Sequence, residues 1–188
     1  MPEDPNRGPE VCQSGHVRAT RGVCRALASF ICLSRVAEEI RKEPLDGPAG
    51  RALVAGFESE VTELYPFWDA TLGPSAEPEE FEPPNGVFLV AYDGEHPVAC
   101  GGLKRLDDWT AEIKRMYVVP ENRGRGLARR MLERLEDEAR DGGYGFVRLD
   151  TGDRQPHALA LYRSAGYREI PDYNGNPAAT HWFEKGLV

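Results

Sequence analysis

From Glu38 onward the spacing of apolar positions changes repeatedly, and each change marks an element. "EEIRKEPL" (38–45) reads as a short strand. In the next stretch Leu53, Phe57, Val61 and Leu64 recur at helical spacing, which predicts a helix that Asp46 caps and Pro66 ends. "GVFLVAYDGEHPVACGGLKRL" (86–106) is two apolar runs joined at Asp93-Gly94, a hairpin signal. "WTAEIKRMYVVP" is a third strand of that group, stopped by Pro120. Then Leu127, Met131, Leu135 and Ala139 form one helical stripe, with Arg129–Glu133, Arg134–Glu138 and Glu136–Arg140 expected on the solvent side and Gly142-Gly143 at the end. "YGFVRLDT" is an apolar strand, "QPHALALYRSAG" a short helix between Pro156 and Gly166, and "ATHWFEKGL" a final strand. The order predicts an α/β domain with a sheet of mixed direction, parallel around the strand–helix–strand unit 110–151.

Two regions fall outside this rhythm. "SAEPEEFEPPNG" (75–86) is acidic and proline-rich and reads as a solvated loop. Residues 1–35 show no clear alternation and are expected to form an N-terminal extension, with a short helix near 24–35, ahead of a single domain over 36–188.

Composition narrows the class. The chain has 188 residues, 40% apolar and 29% charged, as in a soluble globular protein. A net charge of −8 argues against a nucleic-acid binder. The apolar run Ala26 to Leu33 is far shorter than the ~20 residues a bilayer needs, and no small-residue cleavage site follows it. A membrane anchor and export are therefore not expected. The four cysteines form no C-x-x-C pair, so a cytoplasmic protein with reduced thiols and no metal site is expected.

The chemistry gathers at "PENRGRGLARRM" (120–131), where two glycines and four arginines crowd a helix start. Glycine weakens a helix, and arginines there repel one another and oppose the macrodipole. A strand feeding such a turn is suited to phosphate: the first N–H groups of a helix lack internal partners, glycine lets an anion approach the backbone, and Arg123 and Arg125 add charge. A dinucleotide turn fits Gly124 and Gly126 but needs a third glycine where Arg129 stands. Asp150 lies where a ribose ligand would, yet residues 151–188 are too few for a second mononucleotide-binding half, and no G-K-[ST] follows the glycines.

Arg123-x-x-Gly126-x-Ala128 resembles the R/Q-x-x-G-x-G/A motif of the GNAT N-acetyltransferases. "AEIKRMYVVPENRGRGLARRMLERLEDEA" is similar to that family's central strand and helix, and "ALALYRSAGY" (158–167) to its later A-x-x-L-Y-x-x-x-G-F segment. The resemblance runs from about residue 37 to the C-terminus. It implies the GNAT acyl-CoA N-acyltransferase fold, a mixed, mostly antiparallel central sheet flanked by helices, and acetyl-CoA as co-substrate.

The resemblance also implies roles. It places the pyrophosphate of acetyl-CoA at Arg123, Gly124, Arg125, Gly126, Leu127 and Ala128. Main-chain groups of Met116, Tyr117 and Val118 would serve the pantetheine and the acetyl carbonyl, on a strand that splays from its neighbour. Strand alternation puts Glu112, Lys114, Met116 and Val118 on one face. Glu112 stands where some members carry a general base, acting directly or through water, and an ammonium must lose a proton before it can attack a thioester. Tyr162 would protonate or hydrogen-bond the departing thiolate. Gln155 stands where members often have asparagine against the coenzyme. His157 and His181 are expected to be structural or exposed.

The acceptor would be a primary amine of a small molecule or protein. The predicted first helix and the loop after it carry Glu58, Glu60, Glu63, Asp69, Glu77, Glu79, Glu80 and Glu82, acids that would favour a cationic amine or simply face solvent. A homodimer is compatible with this picture. The competing class is a domain of the same fold that binds acyl-CoA as a sensor without turnover.

Overall fold

The computed structural model describes residues 38–66 and 76–188. The expected N-terminal extension and its helix lie outside these residues, as does Asp69. The elements are β1 (Glu39–Lys42), α1 (Pro48–Leu64), β2 (Gly86–Asp93), β3 (His96–Arg105), β4 (Thr110–Val118), α2 (Leu127–Asp141), β5 (Phe146–Thr151), α3 (Pro156–Ser164), β6 (Arg168–Ile170) and β7 (His181–Gly186). One sheet runs in the order β1-β2-β3-β4-β5-β7-β6. Every neighbouring pair is antiparallel except β4 and β5. The mixed sheet predicted from the element order is therefore present, with its parallel step at the expected unit.

Each face of the sheet buries one apolar layer. On one side Leu127, Met131, Leu132 and Leu135 of α2 pack with Leu89, Ala111, Ile113, Val147, Leu149, Tyr162 and Phe183. On the other, Leu53 and Val54 of α1 pack with Phe81, Phe88, Val90 and Cys100. A Cβ at Gly101 would come within 2.8 Å of Leu135 Cδ1, so this glycine lets α2 sit close over the centre of the sheet. Among the described residues no helix is long and apolar enough to cross a membrane.

Several local expectations are corrected. Asp46 does not cap α1: the N-cap is Gly47, without a side-chain bond. Pro48 explains the shift, because its fixed φ suits the first helical position and forces the residue before it to be extended. Glu136 and Glu138 are not on the solvent side. They are 3% and 8% exposed and lie against the sheet, Glu136 Oε2 at 2.6 Å from Lys185 and Glu138 Oε2 at 2.5 Å from Lys42. Arg129 donates to Ser164 of α3. The acidic loop is partly structured: Pro78–Phe81 forms a helical turn, Phe81 is buried, and Glu80 pairs with Lys104 at 2.7 Å. β6, only three residues long, was too short to show a period.

Candidate active site

β4 and β5 hold together only at their starts. Their parallel register covers Thr110↔Phe146, Ala111↔Val147 and Glu112↔Arg148 and then ends, although β4 continues to Val118 and β5 to Thr151. Beyond Glu112 the two strands open into a fork, so the edge of β4 from Ile113 on offers main-chain groups with no ladder partner on that side.

A second irregularity sits inside β4. Gly102 pairs with Lys114 and Cys100 with Tyr117, so Arg115 and Met116 together oppose one residue of β3. Arg115 takes a φ of +56°, which a non-glycine residue rarely adopts. The bulge overturns the simple alternation expected for this strand. Ala111 and Ile113 face α2, and Met116 and Val118 return to that same layer. Glu112 and Lys114 lie on the opposite face, with Tyr117. A bulge inserts one residue, and one residue flips every later side chain. Cys100 Sγ donates to the Arg115 carbonyl at 3.4 Å from below. The Arg115 guanidinium spans to Glu58 of α1 at 3.0 Å and to the Ala76 carbonyl at 3.1 Å.

The glycine-arginine turn follows β4 directly. Gly124 (φ +73°) and Gly126 (φ +78°) are left-handed, and a Cβ at either would meet nothing within 4 Å. Conformation, not crowding, requires glycine here, and the space above the backbone is open. Gly126 is the N-cap of α2, and the first bond of the helix is Arg130 N–H to the Gly126 carbonyl. No N–H from Gly124 to Arg129, Leu127 and Ala128 included, has an acceptor among the described residues. Arg123 Nε donates to the Val118 carbonyl at 2.9 Å, its head pairs with Glu60, and it lies over the Tyr117 ring. Arg125 reaches Asp93 at 3.2 Å and Glu38 at 3.4 Å. Glu58 and Glu60, the acids of α1 nearest these residues, are thus already paired with arginine.

Tyr162, on α3, is 7% exposed between Tyr167 and Phe183. Its hydroxyl has no hydrogen-bond partner among the described residues. Burial, and then the Asp150 carboxylate, hold it well above the ordinary phenol range, so it stays protonated at neutral pH. Gln155 is the N-cap of α3, and its side-chain oxygen accepts from Thr151 at 3.0 Å. His181 pairs with Glu169 at 2.7 Å.

Glu112 is 2% exposed and sits at the fork in a group of polar side chains. Its Oε1 accepts from Tyr173 Oη at 2.7 Å and Asn174 Nδ2 at 2.9 Å, with Lys114 Nζ at 3.2 Å. Lys114 also reaches Asp150 Oδ2 at 2.9 Å. Asp150 accepts further bonds from Asn174 at 2.6 Å and Asn176 at 2.9 Å. Burial works against the Lys114 charge, but Asp150 and Glu112 outweigh it and raise its pKa. Burial and then Glu112 push the Tyr173 phenol far up, so it acts only as a donor. The sequence placed no role on Tyr173, Asn174 or Asn176 and took Asp150 only as a ribose ligand, whereas Lys114, set on the face of Glu112 as a partner for it, does pair with that carboxylate. The "DYNGN" run of turn-forming residues was the one signal available, and it marks a loop rather than a partner for β4.

The chain was also compared with known proteins. A family model described as the Acetyltransferase (GNAT) family matches residues 54–167, more than half of the chain. The IAA acetyltransferase of Azospirillum brasilense is 41% identical over 87 residues, 46% of this chain but only 57% of that relative's length. The acetyltransferase of GNAT family from Staphylococcus aureus MU50 superposes with a TM-score of 0.68 at 19% identity, covering 81% of this chain and 100% of that one. A GNAT family acetyltransferase from Elizabethkingia anophelis, with acetyl-CoA bound, superposes with a TM-score of 0.57 at 17% identity over 79% of this chain and 97% of that one.

Proposed function

The chain belongs to the GNAT acetyltransferase family, and from that premise we propose that it is an acetyl-CoA-dependent N-acetyltransferase of the cytoplasm, acting on a primary amine of a small molecule or protein. The observation that carries this is the run of N–H groups from Gly124 to Arg129, without an acceptor among the described residues, at an open left-handed turn beside the fork of β4 and β5. Backbone donors, a helix N-terminus and two arginines suit the pyrophosphate of coenzyme A. The Elizabethkingia neighbour carries acetyl-CoA on the same fold.

In this mechanism Arg123, Gly124, Arg125, Gly126, Leu127 and Ala128 hold the pyrophosphate. Main-chain groups of Met116, Tyr117 and Val118 serve the pantetheine arm and the thioester carbonyl. Gln155, at the start of α3, contacts the coenzyme through its amide. Glu112 takes the proton that the acceptor ammonium loses before its nitrogen attacks. Tyr162, protonated and without a hydrogen-bond partner among the described residues, donates to the thiolate as it departs.

A cationic acceptor would compete with Arg115 and Arg123 for Glu58 and Glu60. The acid on this face therefore gives it less advantage than the composition suggests. The sensor reading draws on one observation, the near-complete burial of Glu112. Free-thiol release from acetyl-CoA, with spermidine, kanamycin, Nα-acetyl-lysine amide and a tripeptide as acceptors, decides between the two. Turnover with any of them, falling about 10²–10⁴-fold in Glu112→Gln, supports the enzyme. Acetyl-CoA binding with no thiol released by any of them supports the sensor.

A further inference from the structure

The loop between β6 and β7, residues 171–180, is built to present side chains inward. Asp172 Oδ1 accepts the N–H groups of Asn174 at 3.0 Å and Gly175 at 2.7 Å, and Asn176 Oδ1 accepts that of Ala178 at 3.1 Å. On this frame the Asn174 amide bridges two strands. Its Nδ2 reaches Glu112 Oε1 on β4 and Asp150 Oδ2 on β5, at 2.9 and 2.6 Å, and its Oδ1 accepts Trp182 Nε1–H from β7 at 2.9 Å. An indole N–H only donates, so the Trp182 bond fixes which end of the amide is oxygen. The two hydrogens of the NH2 end are then divided between the two carboxylates.

Tyr173 adds its hydroxyl to the same Glu112 oxygen, and the Arg148 guanidinium, held by Glu184 at 2.9 Å, lies 5.4 Å from the centre of the Tyr173 ring. Lys104, the cross-strand neighbour of Glu112 on β3, is turned to Glu80. Tyr173, Asn174 and Lys114 thus all meet Glu112 at Oε1, while Oε2 accepts no hydrogen bond among the described residues. A carboxylate held at one oxygen from three directions has a fixed rotamer, and its remaining proton-accepting capacity lies on the other oxygen.

We propose that Asn174, with Tyr173 beside it, is a positioning residue: it holds Glu112 by Oε1, so that Oε2 is the oxygen that takes the acceptor's proton. This rests on Glu112 being the base of the proposed reaction. Asn174 touches no reacting atom and acts through Glu112.

The test is a pH titration of the Glu112 carboxyl carbon by ¹³C NMR in the full chain labelled at glutamate, with the resonance assigned by Glu112→Gln. Asn174→Asp puts a like charge against Glu112 and should raise its midpoint by about one unit or more. Trp182→Phe frees the amide to turn and should raise it by a smaller amount. Tyr173→Phe removes one donor without changing size, and reads the same quantity should Asn174→Asp not fold. Midpoints unchanged in the folded variants would mean that Asn174 only packs the loop, and would overturn the proposal. Thiol release by Glu112→Gln reports separately on the base. Full turnover there removes Glu112 from the chemistry, and the proposal with it. Lost turnover with unmoved midpoints removes the positioning role alone.

Discussion

The glycine-arginine turn and the fork of β4 and β5 are both rich in charge, yet they use it in opposite ways. At the turn, N–H groups from Gly124 to Arg129 have no acceptor among the described residues, and the arginines lean on carboxylates at the surface. At the fork, Lys114, Tyr173, Asn174 and Asn176 all spend their donors on Glu112 and Asp150, below the surface. One region holds unmet donors; in the other the side-chain donors are spent, and what stays open is the β4 edge beyond Glu112 and the Oε2 atom of Glu112. Charge content alone does not mark a ligand site. Donors unmet among the described residues call for water or a ligand, because leaving them so is costly.

The sharpest way to break this comparison is to remove one charge from the closed region. Lys114, Glu112 and Asp150 have side chains 11%, 2% and 9% exposed. Lys114→Met leaves two buried carboxylates without their cation and should cost about 3–5 kcal/mol of stability, read by urea unfolding. Acetyl-CoA affinity of the folded protein, measured by calorimetry, should stay within a few-fold. A variant as stable as wild type would show that the fork is not the closed network described.

The open region should respond the other way. Arg123 is 45% exposed and its bond to Glu60 lies at the surface, so Arg123→Glu should change stability by less than about 1 kcal/mol. It should weaken acetyl-CoA binding about 10–100-fold, the loss of a charge-assisted contact together with a new repulsion. Unchanged affinity would remove the phosphate role from this turn.

Gly126→Ala tests the backbone alone. A Cβ there meets nothing within 4 Å, so the cost is that of a left-handed φ in a residue with a side chain, about 1–2 kcal/mol. A cost near zero would mean that the turn relaxes easily out of its left-handed form, and the donors would then not be preorganised.

The two regions also differ in how far the sequence exposed them. The turn was readable because its signals are local: glycines at fixed offsets, a proline closing the strand before it, and a helical stripe after it. The stripe of α2 and the hairpin at Asp93-Gly94 were readable for the same reason. The fork was not. Glu112 and Asn174 meet across 62 residues of chain, and no periodicity records which loop folds over which strand. The bulge was hidden too, since Arg115 adopts a φ that its side chain disfavours, and alternation carried past it puts Met116 and Val118 on the wrong face. Glu136 and Glu138 misled only as to burial: their expected pairs with Arg140 and Arg134 form, but Lys185 and Lys42 reach the same carboxylates from distant strands.

The smallest effect concerns the brace between the two regions. Cys100 lies beneath the bulge and donates to the Arg115 carbonyl. Burial pushes its thiol up to about 12, against the opposing pull of the Arg115 guanidinium. A group whose folded pKa is raised contributes stability that is whole below its unfolded pKa, here about 9, and is lost as pH climbs toward the folded value. Wild-type stability should therefore fall by up to about 1.4 kcal/mol per pH unit from this group above pH ~9. Lys114 and the buried tyrosines add their own losses above pH ~10. Cys100→Ala should flatten the first part of that decline, between pH ~9 and ~10, whatever it does to stability at neutral pH. Urea midpoints measured across that interval read the slope directly. If wild type and Cys100→Ala decline in parallel, the thiol ionises as easily in the fold as outside it, and the packing beneath the bulge is looser than the fork above it.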